Sequence, residues 1–432
     1  MELRKYQQEA IDAIMHAPGG FILGDACGLG KTATAVSYGR QRCQSIARPQ
    51  YLAIVPKTLR SQWEDEIHDW DPDIPVHQVL FNGPVIGEGW FIAHYEQLTT
   101  AGGLPTYLNR VWDLVVVDEA HRIKNPTTLR SKAVRKFEAA MKLCLTGTPM
   151  EKSPLNLWPM LNWHDRREFR SLGAFRARYV EMDVNWAGYP VMVGPKNLAD
   201  LAQRLKGRFL ARTKEQVAPE MPKLQIVKVK CPPDASQEWV HKAITEADDI
   251  IVEVGNKELV IQNTLVKIVR CQQLASFPPI LGFNDTKGAK TAWLREWLSD
   301  NPDIPAVIFT KFRETAQYLH SEFGGELCIG GAPATGAFRS GEVRLVFATI
   351  AYAGEGFNFP RAEAAIFVDQ EWSTIKMSQA LDRIHRIGAY QDIPKTAYML
   401  QTFPEDRLVY RAFTEKWSEV TMVSKYLTGD YE

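Results

Sequence analysis

Two series of short apolar runs constrain this chain more than any other feature. Within the first 150 residues they are GGFILG (19–24), YLAIVP (51–56), GWFIAH (89–94), WDLVVVDE (112–119) and MKLCLTGT (141–148). From residue 305 the texture returns in PAVIFT, GELCIG, VRLVFATI, AAIFVD and TAYMLQ. The runs favour β-branched or aromatic residues, and no hairpin signal follows them. That suits strands buried on both faces of a parallel sheet, so the expected fold class is α/β, with two domains of similar type. Polar residues gather where the runs end, which is the edge at which open α/β sheets hold ligands. Residues 237–275 read as a long helical pattern, bracketed by Pro-rich breaks at 231–234 and 277–280. The expected division is a first domain over 1–155, helical insertions and linker over 156–285, and a second domain over 286–432.

A length of 432 residues with 45% hydrophobic content supports such cores. Lys+Arg and Asp+Glu are both 51, so net charge neither implies nor excludes a nucleic-acid partner. The six cysteines (Cys27, Cys43, Cys144, Cys231, Cys271, Cys328) form no C-x-x-C pair, and no His cluster stands at ligand spacing. This argues against a zinc site or disulfide framework and for a reducing, cytoplasmic setting. The opening MELRKYQQEAIDAI shows no small-residue cleavage site, and no apolar run approaches the roughly 18 residues of a membrane helix. No membrane association is expected.

GGFILG runs into Gly24-Asp25-Ala26-Cys27-Gly28-Leu29-Gly30-Lys31-Thr32, one position out of step with G-x-x-x-x-G-K-[ST] because Asp25 stands where a glycine is usual. Taken alone, a glycine-rich turn explains it as well. The helix-compatible TATAVSYGRQ behind it supplies the strand-loop-helix setting of a phosphate site. In that setting Gly28, Leu29 and Gly30 let the backbone approach the phosphates of ATP. Lys31 reaches the β- and γ-phosphates, and Thr32 ligates Mg²⁺. The strand over 114–117 runs straight into Asp118 and Glu119. Asp118 is placed to hold Mg²⁺ and Glu119 to orient the attacking water, an exposed acidic turn being the alternative. Leu145-Thr146-Gly147-Thr148-Pro149 adds two hydroxyls at the same sheet edge.

In the second half, Gln379, Arg383 and Arg386 have the spacing of one helical face, and Gly388 is the expected helix stop. Met377, Leu381 and Ile384 repeat that spacing nearly opposite, at about 100° per residue. Two arginines on a solvated face are common. Directed at a phosphate site on the first domain, they act instead as arginine fingers at an interdomain ATP site. Ala353-Gly354-Glu355-Gly356-Phe357-Asn358 permits close backbone approach to ATP or to a nucleic-acid phosphate, and a tight turn serves equally well.

Together these stretches resemble the Swi/Snf-type ATPases, the double-stranded DNA translocase branch of helicase superfamily two. The resemblance runs from residue 3 to about 402 and is most specific in DEAHRIKN (118–125), FLARTKEQVAPEMP (209–222), VRCQQLASFP (269–278), and FVDQEWS through QALDRIHRIG (367–388). Asp25 also matches the branch, which spells its loop Ala-Asp-Glu-Met-Gly-Leu-Gly-Lys-Thr. Ala26, Cys27, Ala211, Ala353 and Ala389 depart from the branch pattern.

The resemblance implies two RecA-like parallel-sheet domains with a helical insertion between them. It implies hydrolysis of ATP with Mg²⁺ to move along double-stranded DNA through sequence-independent backbone contacts. Gln7 would read the adenine. Pro56, Lys57, Thr58, Tyr95, Lys311, Gly356 and Asn358 would contact DNA, although Lys57 and Lys311 also fit solvated surface lysines. A strand-separating DNA helicase of the same superfamily is the alternative activity. A scaffold with a decayed nucleotide site is opposed by the intact Lys31, Asp118, Glu119 and arginine pair. The motor is expected to be a monomer without chromatin-reading modules, targeted by a partner protein or by DNA structure, in a prokaryotic or virus-encoded setting.

Overall fold

The computed structural model describes residues 2–43, 46–79, 85–100, 107–108, 110–150, 153–184, 188–246, 251–254, 257–260, 263–330, 336–353, 358–388 and 392–415. The chain divides into two compact units that part between Pro219 and Glu220. The stretch 156–285 therefore contributes to both.

In the first unit, β1 (Gly20–Leu23), β2 (Gln50–Val55), β3 (Val76–Gln78), β4 (Gly89–His94), β5 (Trp112–Val117), β6 (Ala139–Leu145) and β9 (Phe209–Leu210) form one sheet in the order β3-β4-β2-β5-β6-β1-β9. Its ladders are parallel. Ile22, Ile54, Val115 and Val117 enter the core on one face, while Phe21, Leu23, Val55, Leu114 and Val116 enter the core on the other. Burial on both faces is why the runs are continuously apolar rather than alternating. Each such side chain stabilises by roughly 1.5–3 kcal/mol. The register pairs Leu23 with Leu145 and Val117 with Cys144, so β1, β5 and β6 end at one edge. Helices α1 (Lys5–Met15), α2 (Lys31–Cys43) and α3 (Arg60–Trp70) pack on the sheet through Ile11, Val36 and Ile67.

The second unit repeats the plan. Strands β10 (Gln225–Lys230), β13 (Ala306–Thr310), β14 (Glu326–Cys328), β15 (Leu345–Thr349), β16 (Ala364–Phe367) and β17 (Thr396–Gln401) form a parallel sheet in the order β10-β17-β16-β13-β15-β14. Both sheets are of the expected RecA-like type. Beneath the second, the Lys290 ammonium is fully buried, donates to Val368 O at 2.8 Å and pairs with Asp406 at 3.1 Å.

One edge strand and two antiparallel pairs escaped the sequence pattern. Edge strand β10 is largely exposed and carries Lys228 and Lys230, so it lacks an apolar run. Antiparallel strands β7 (Val180–Val184) and β8 (Pro190–Pro195) leave most of their residues exposed. The long helical pattern at 237–275 is two helices, Ala235–Glu246 and Thr264–Ser276, separated by the antiparallel pair β11 (Ile251–Val254) and β12 (Lys257–Val260). The β-branched Ile251, Val252 and Val254 favour a strand where the helical spacing predicts a continuous helix.

The helix Trp158–His164 presses against β1, where a Cβ on Gly20 would lie 2.5 Å from His164 Cβ. Burial first, then Lys142 and Arg208, push the His164 imidazole down to about 3, so it is folded in the neutral form. The unfolded chain takes up that proton near pH 6.5, and stability is lost as pH falls below that value. Between pH 6 and pH 4, wild-type protein should lose about 2 kcal/mol more than His164→Gln, measured by urea unfolding of the first unit. Parallel pH profiles would contradict the assignment.

Candidate nucleotide site and nucleic-acid contacts

The loop 24–32 leaves the edge at which β1, β5 and β6 end and feeds α2. Gly28 and Gly30 have φ of 87° and 70°, left-handed values that glycine adopts without strain. A side chain at Gly30 would meet Gln7 Nε2 at 2.5 Å. The α1 segment seals the loop: Tyr6 donates its hydroxyl to Leu29 O at 3.2 Å, and Gln7 Nε2 donates to Gly30 O at 3.4 Å. Lys31 Nζ donates to Asp25 O at 2.8 Å and to Ala26 O at 3.3 Å. Thr32 is the second residue of α2, half-buried, where the helix N-terminus favours an anion.

Asp25 is only 2% exposed, and its carboxylate receives Arg212 Nη2 at 2.6 Å and Nε at 3.1 Å. The same guanidinium donates to Tyr6 O at 2.7 Å and lies over the Tyr6 ring. The backbones join as well, since Gly24 N–H donates to Leu210 O and Ala26 N–H to Arg212 O. The sequence placed Arg212 in a family-specific stretch but gave no signal of its partner, 187 positions earlier.

Asp118 follows β5 and is 7% exposed. Burial, and then the Glu119 carboxylate, raise its pKa to about 6, against the pull of Trp63, the Glu119 N–H and Lys31. Trp63 Nε1 on α3 donates to Asp118 Oδ2 at 2.8 Å, and Glu119 N–H donates to Oδ1 at 2.8 Å. Glu119 sits at φ 49°, left-handed for a residue with a side chain, at a cost of about 1 kcal/mol. Its carboxylate lies 3.1 Å from His121 Nδ1. From β6, Thr146 N–H donates to Leu23 O, and a Cβ on Gly147 would meet Cys27 Sγ at 2.5 Å. Lys31, Thr32, Asp118 and Glu119 thus share one sheet edge, with donor chemistry that fits Mg²⁺ and a triphosphate.

Of the expected nucleic-acid contacts in this unit, Lys57 and Thr58 are exposed on the turn after β2, while Pro56 is buried. Tyr95 differs from expectation. It is 1% exposed and donates its hydroxyl to Asp118 O, because β4 turns the ring inward under the carboxylate loop. Burial there raises its pKa and keeps it a neutral donor. Its reach is to the carboxylate turn, not to a ligand surface.

In the second unit, Lys311 Nζ donates to Gln272 Oε1 at 2.9 Å. Asp369 accepts from Thr310 Oγ1, Ser276 Oγ and Lys311 N–H, fixing that turn to β16. The arginine segment departs from the expected single helix. The helix Thr374–Asp382 carries Gln379 and ends there, well before Gly388. The backbone of Arg383 and Ile384 tightens onto Ala380 and Leu381, and Arg383 O accepts from Phe359 N–H, which closes the helix end. Met377, Leu381 and Ile384 are buried as expected. The arginines still converge, for Arg383 Nη1 and Arg386 Nη1 both donate to Asn358 Oδ1. Asn358 therefore holds the arginine pair. Gly354, Glu355 and Gly356 lie outside the described residues.

A phosphate loop and a paired-carboxylate turn on one sheet edge define the P-loop class. The SNF2-related domain model matches residues 6–278, and the helicase conserved C-terminal domain matches residues 289–388. The chain belongs to the SNF2-related family. Bacillus subtilis YwqA, which carries the provisional name of ATP-dependent helicase/translocase, is 27% identical over 89% of this chain and 45% of its own length. The ISWI chromatin-remodeling complex ATPase CHR11 of Arabidopsis thaliana is 24% identical over 91% of this chain and 40% of its own. The mouse chromodomain-helicase-DNA-binding protein 1-like is 25% identical over 98% and 50%. The chain spans half or less of the length of these relatives. The Sulfolobus solfataricus SWI2/SNF2 ATPase core, solved in complex with dsDNA, covers 99% of this chain and 94% of its own at 20% identity, with a TM-score of 0.47.

Two predictions follow from the loop. Arg212→Met leaves Asp25 buried and unpaired and should cost about 3–5 kcal/mol in urea unfolding, while Asp25→Leu with Arg212→Met should recover most of it. A double variant as unstable as the single would contradict the pairing. Alkylating Cys27 with a maleimide should weaken ATP binding at least roughly tenfold, because the space beside Gly147 is full. Cys27→Ala should be protected, and equal loss in both proteins would place the effect elsewhere.

Proposed function

We propose that this chain is an ATP-dependent motor that translocates on double-stranded DNA and remodels DNA structures or protein–DNA complexes. The observation that carries the reading is the SNF2-related match, which takes in both the loop 24–32 and the Asp118–Glu119 turn. The phosphates of ATP would lie on the N–H groups of 28–32, with Lys31 exchanging its loop carbonyls for phosphate oxygens. Thr32 and Asp118 would hold Mg²⁺, which neutralises phosphate charge during transfer. Glu119, fixed by its left-handed backbone, orients the attacking water. Arg383 and Arg386, held as a pair by Asn358, would be delivered to the γ-phosphate in the working cycle. Gln7 would contact the adenine.

Lys57, Thr58 and Lys311 would grip DNA through its phosphates, which makes binding sequence-independent and salt-sensitive. Trp63 links the first of these contacts to chemistry, because the helix after Lys57 carries the indole that holds Asp118. On this reading the chain acts as a monomer in the cytoplasm, directed to its substrate by a partner protein or by DNA structure. Among the described residues no helix is long and apolar enough to cross a membrane.

Lys31→Ala, Glu119→Gln and Arg386→Ala should each lower duplex-stimulated ATP hydrolysis by about 100-fold or more. Near-wild-type rates in all of them would sink the scheme. Duplex DNA should stimulate turnover above single-stranded DNA or RNA, and the motor should displace a triplex strand without opening a forked duplex. Fork opening would favour the helicase reading instead.

A further inference from the structure

A cluster of metal-ligating side chains lies in the second unit, made of residues that the candidate nucleotide and nucleic-acid sites do not use. His241 projects from the helix Ala235–Glu246, Cys271 from the helix Thr264–Ser276, and Glu405 from the segment just after β17. One donor atom from each lies within 4.8 Å of the others. His241 Nε2 is 3.0 Å from Glu405 Oε2, between residues 164 positions apart. The His241 ring stacks on Phe403 at 4.1 Å and 8°, which fixes the direction of its Nε2. Cys271 is 1% exposed, while His241 and Glu405 are part-exposed at 19% and 17%. The cluster is therefore walled on the thiol side and open to water on the other.

We propose that His241, Cys271 and Glu405 bind one zinc ion, with water in the fourth position. One thiolate, one imidazole and one carboxylate suit a borderline-soft divalent ion that prefers tetrahedral coordination, and they do not suit Mg²⁺ or Ca²⁺. Without metal, burial pushes the Cys271 thiol well above its usual range, so it stays a protonated donor. Binding forms the Zn–S bond and releases the thiol proton to water, with no change of oxidation state. Burial opposes the Glu405 carboxylate, but its hydrogen bond with His241 and a backbone bond outweigh that and keep it ionised.

The ion would staple two helices to the segment whose next residue, Asp406, pairs with buried Lys290. Spacing along the chain could not reveal the site, since its ligands come from three separate elements.

The test uses the full chain, stripped with a chelator and free of nucleotide. Co²⁺ should bind at one equivalent with a thiolate-to-metal charge-transfer band, and Zn²⁺ should displace it. Cys271→Ser should abolish the band, whereas Cys27→Ala and Cys231→Ala should keep it. His241→Asn, at a part-exposed position, should weaken Zn²⁺ binding at least about tenfold and remove the rise in Tm that Zn²⁺ gives wild-type protein. A folded wild-type chain showing no thiolate band would overturn the proposal. So would Zn²⁺ affinity unchanged in His241→Asn, or a band surviving in Cys271→Ser, which would mark the ion as adventitious.

Discussion

The ion pair between Asp25 and Arg212 is the contact on which the phosphate loop depends. Both carboxylate oxygens are engaged, at 2.6 Å and 3.1 Å, in a position almost without solvent. A buried carboxylate without its partner would be costly, so the fold is committed to bringing 212 back to 25. That return fixes the backbone of Asp25 and Ala26, whose carbonyls hold Lys31. It also clamps Tyr6, so the segment that seals the loop is tied to the same guanidinium. A glycine at 25 would supply a tight turn but not the carboxylate that receives Arg212. Arg212 precedes the division at Pro219 by a few residues, so the chain leaves for the second unit from an anchor on the phosphate loop.

The second unit uses polar contacts in the same way, buried at Asp369 and Lys290 and part-buried at Asn358. Asp369 gathers Ser276, Thr310 and the Lys311 backbone, Lys290 joins Val368 to Asp406, and Asn358 gathers the arginines. Each network joins segments that are distant in sequence. Such networks are costly when incomplete, which makes the geometry of the strand ends specific rather than merely compact.

The central strands were legible because burial on both faces writes them as unbroken apolar runs. Edge strand β10 was not, since its exposed side chains include lysines, and β9 is too short to show a period. The candidate set on the first sheet, Lys31, Thr32, Asp118 and Glu119, could be picked out because its residues are adjacent in sequence and follow strands. What supports that set could not. Nothing in the spacing says that Trp63 holds Asp118, that Tyr95 turns inward beneath it, or that Asn358 accepts from both arginines. These are contacts between distant residues, set by tertiary packing. The arginine helix failed in an instructive way: the apolar stripe of Met377, Leu381 and Ile384 was right, but a tightened turn reached the burial that a longer helix was expected to provide.

The measurement that tests the motor most directly follows single fluorescent molecules of the chain on a stretched DNA duplex. A duplex-tracking motor should show processive, ATP-dependent movement along the duplex, halted by Lys31→Ala, without the change in tether length that strand separation produces. Diffusion unaffected by ATP, or a tether that changes length as strands part, would contradict it.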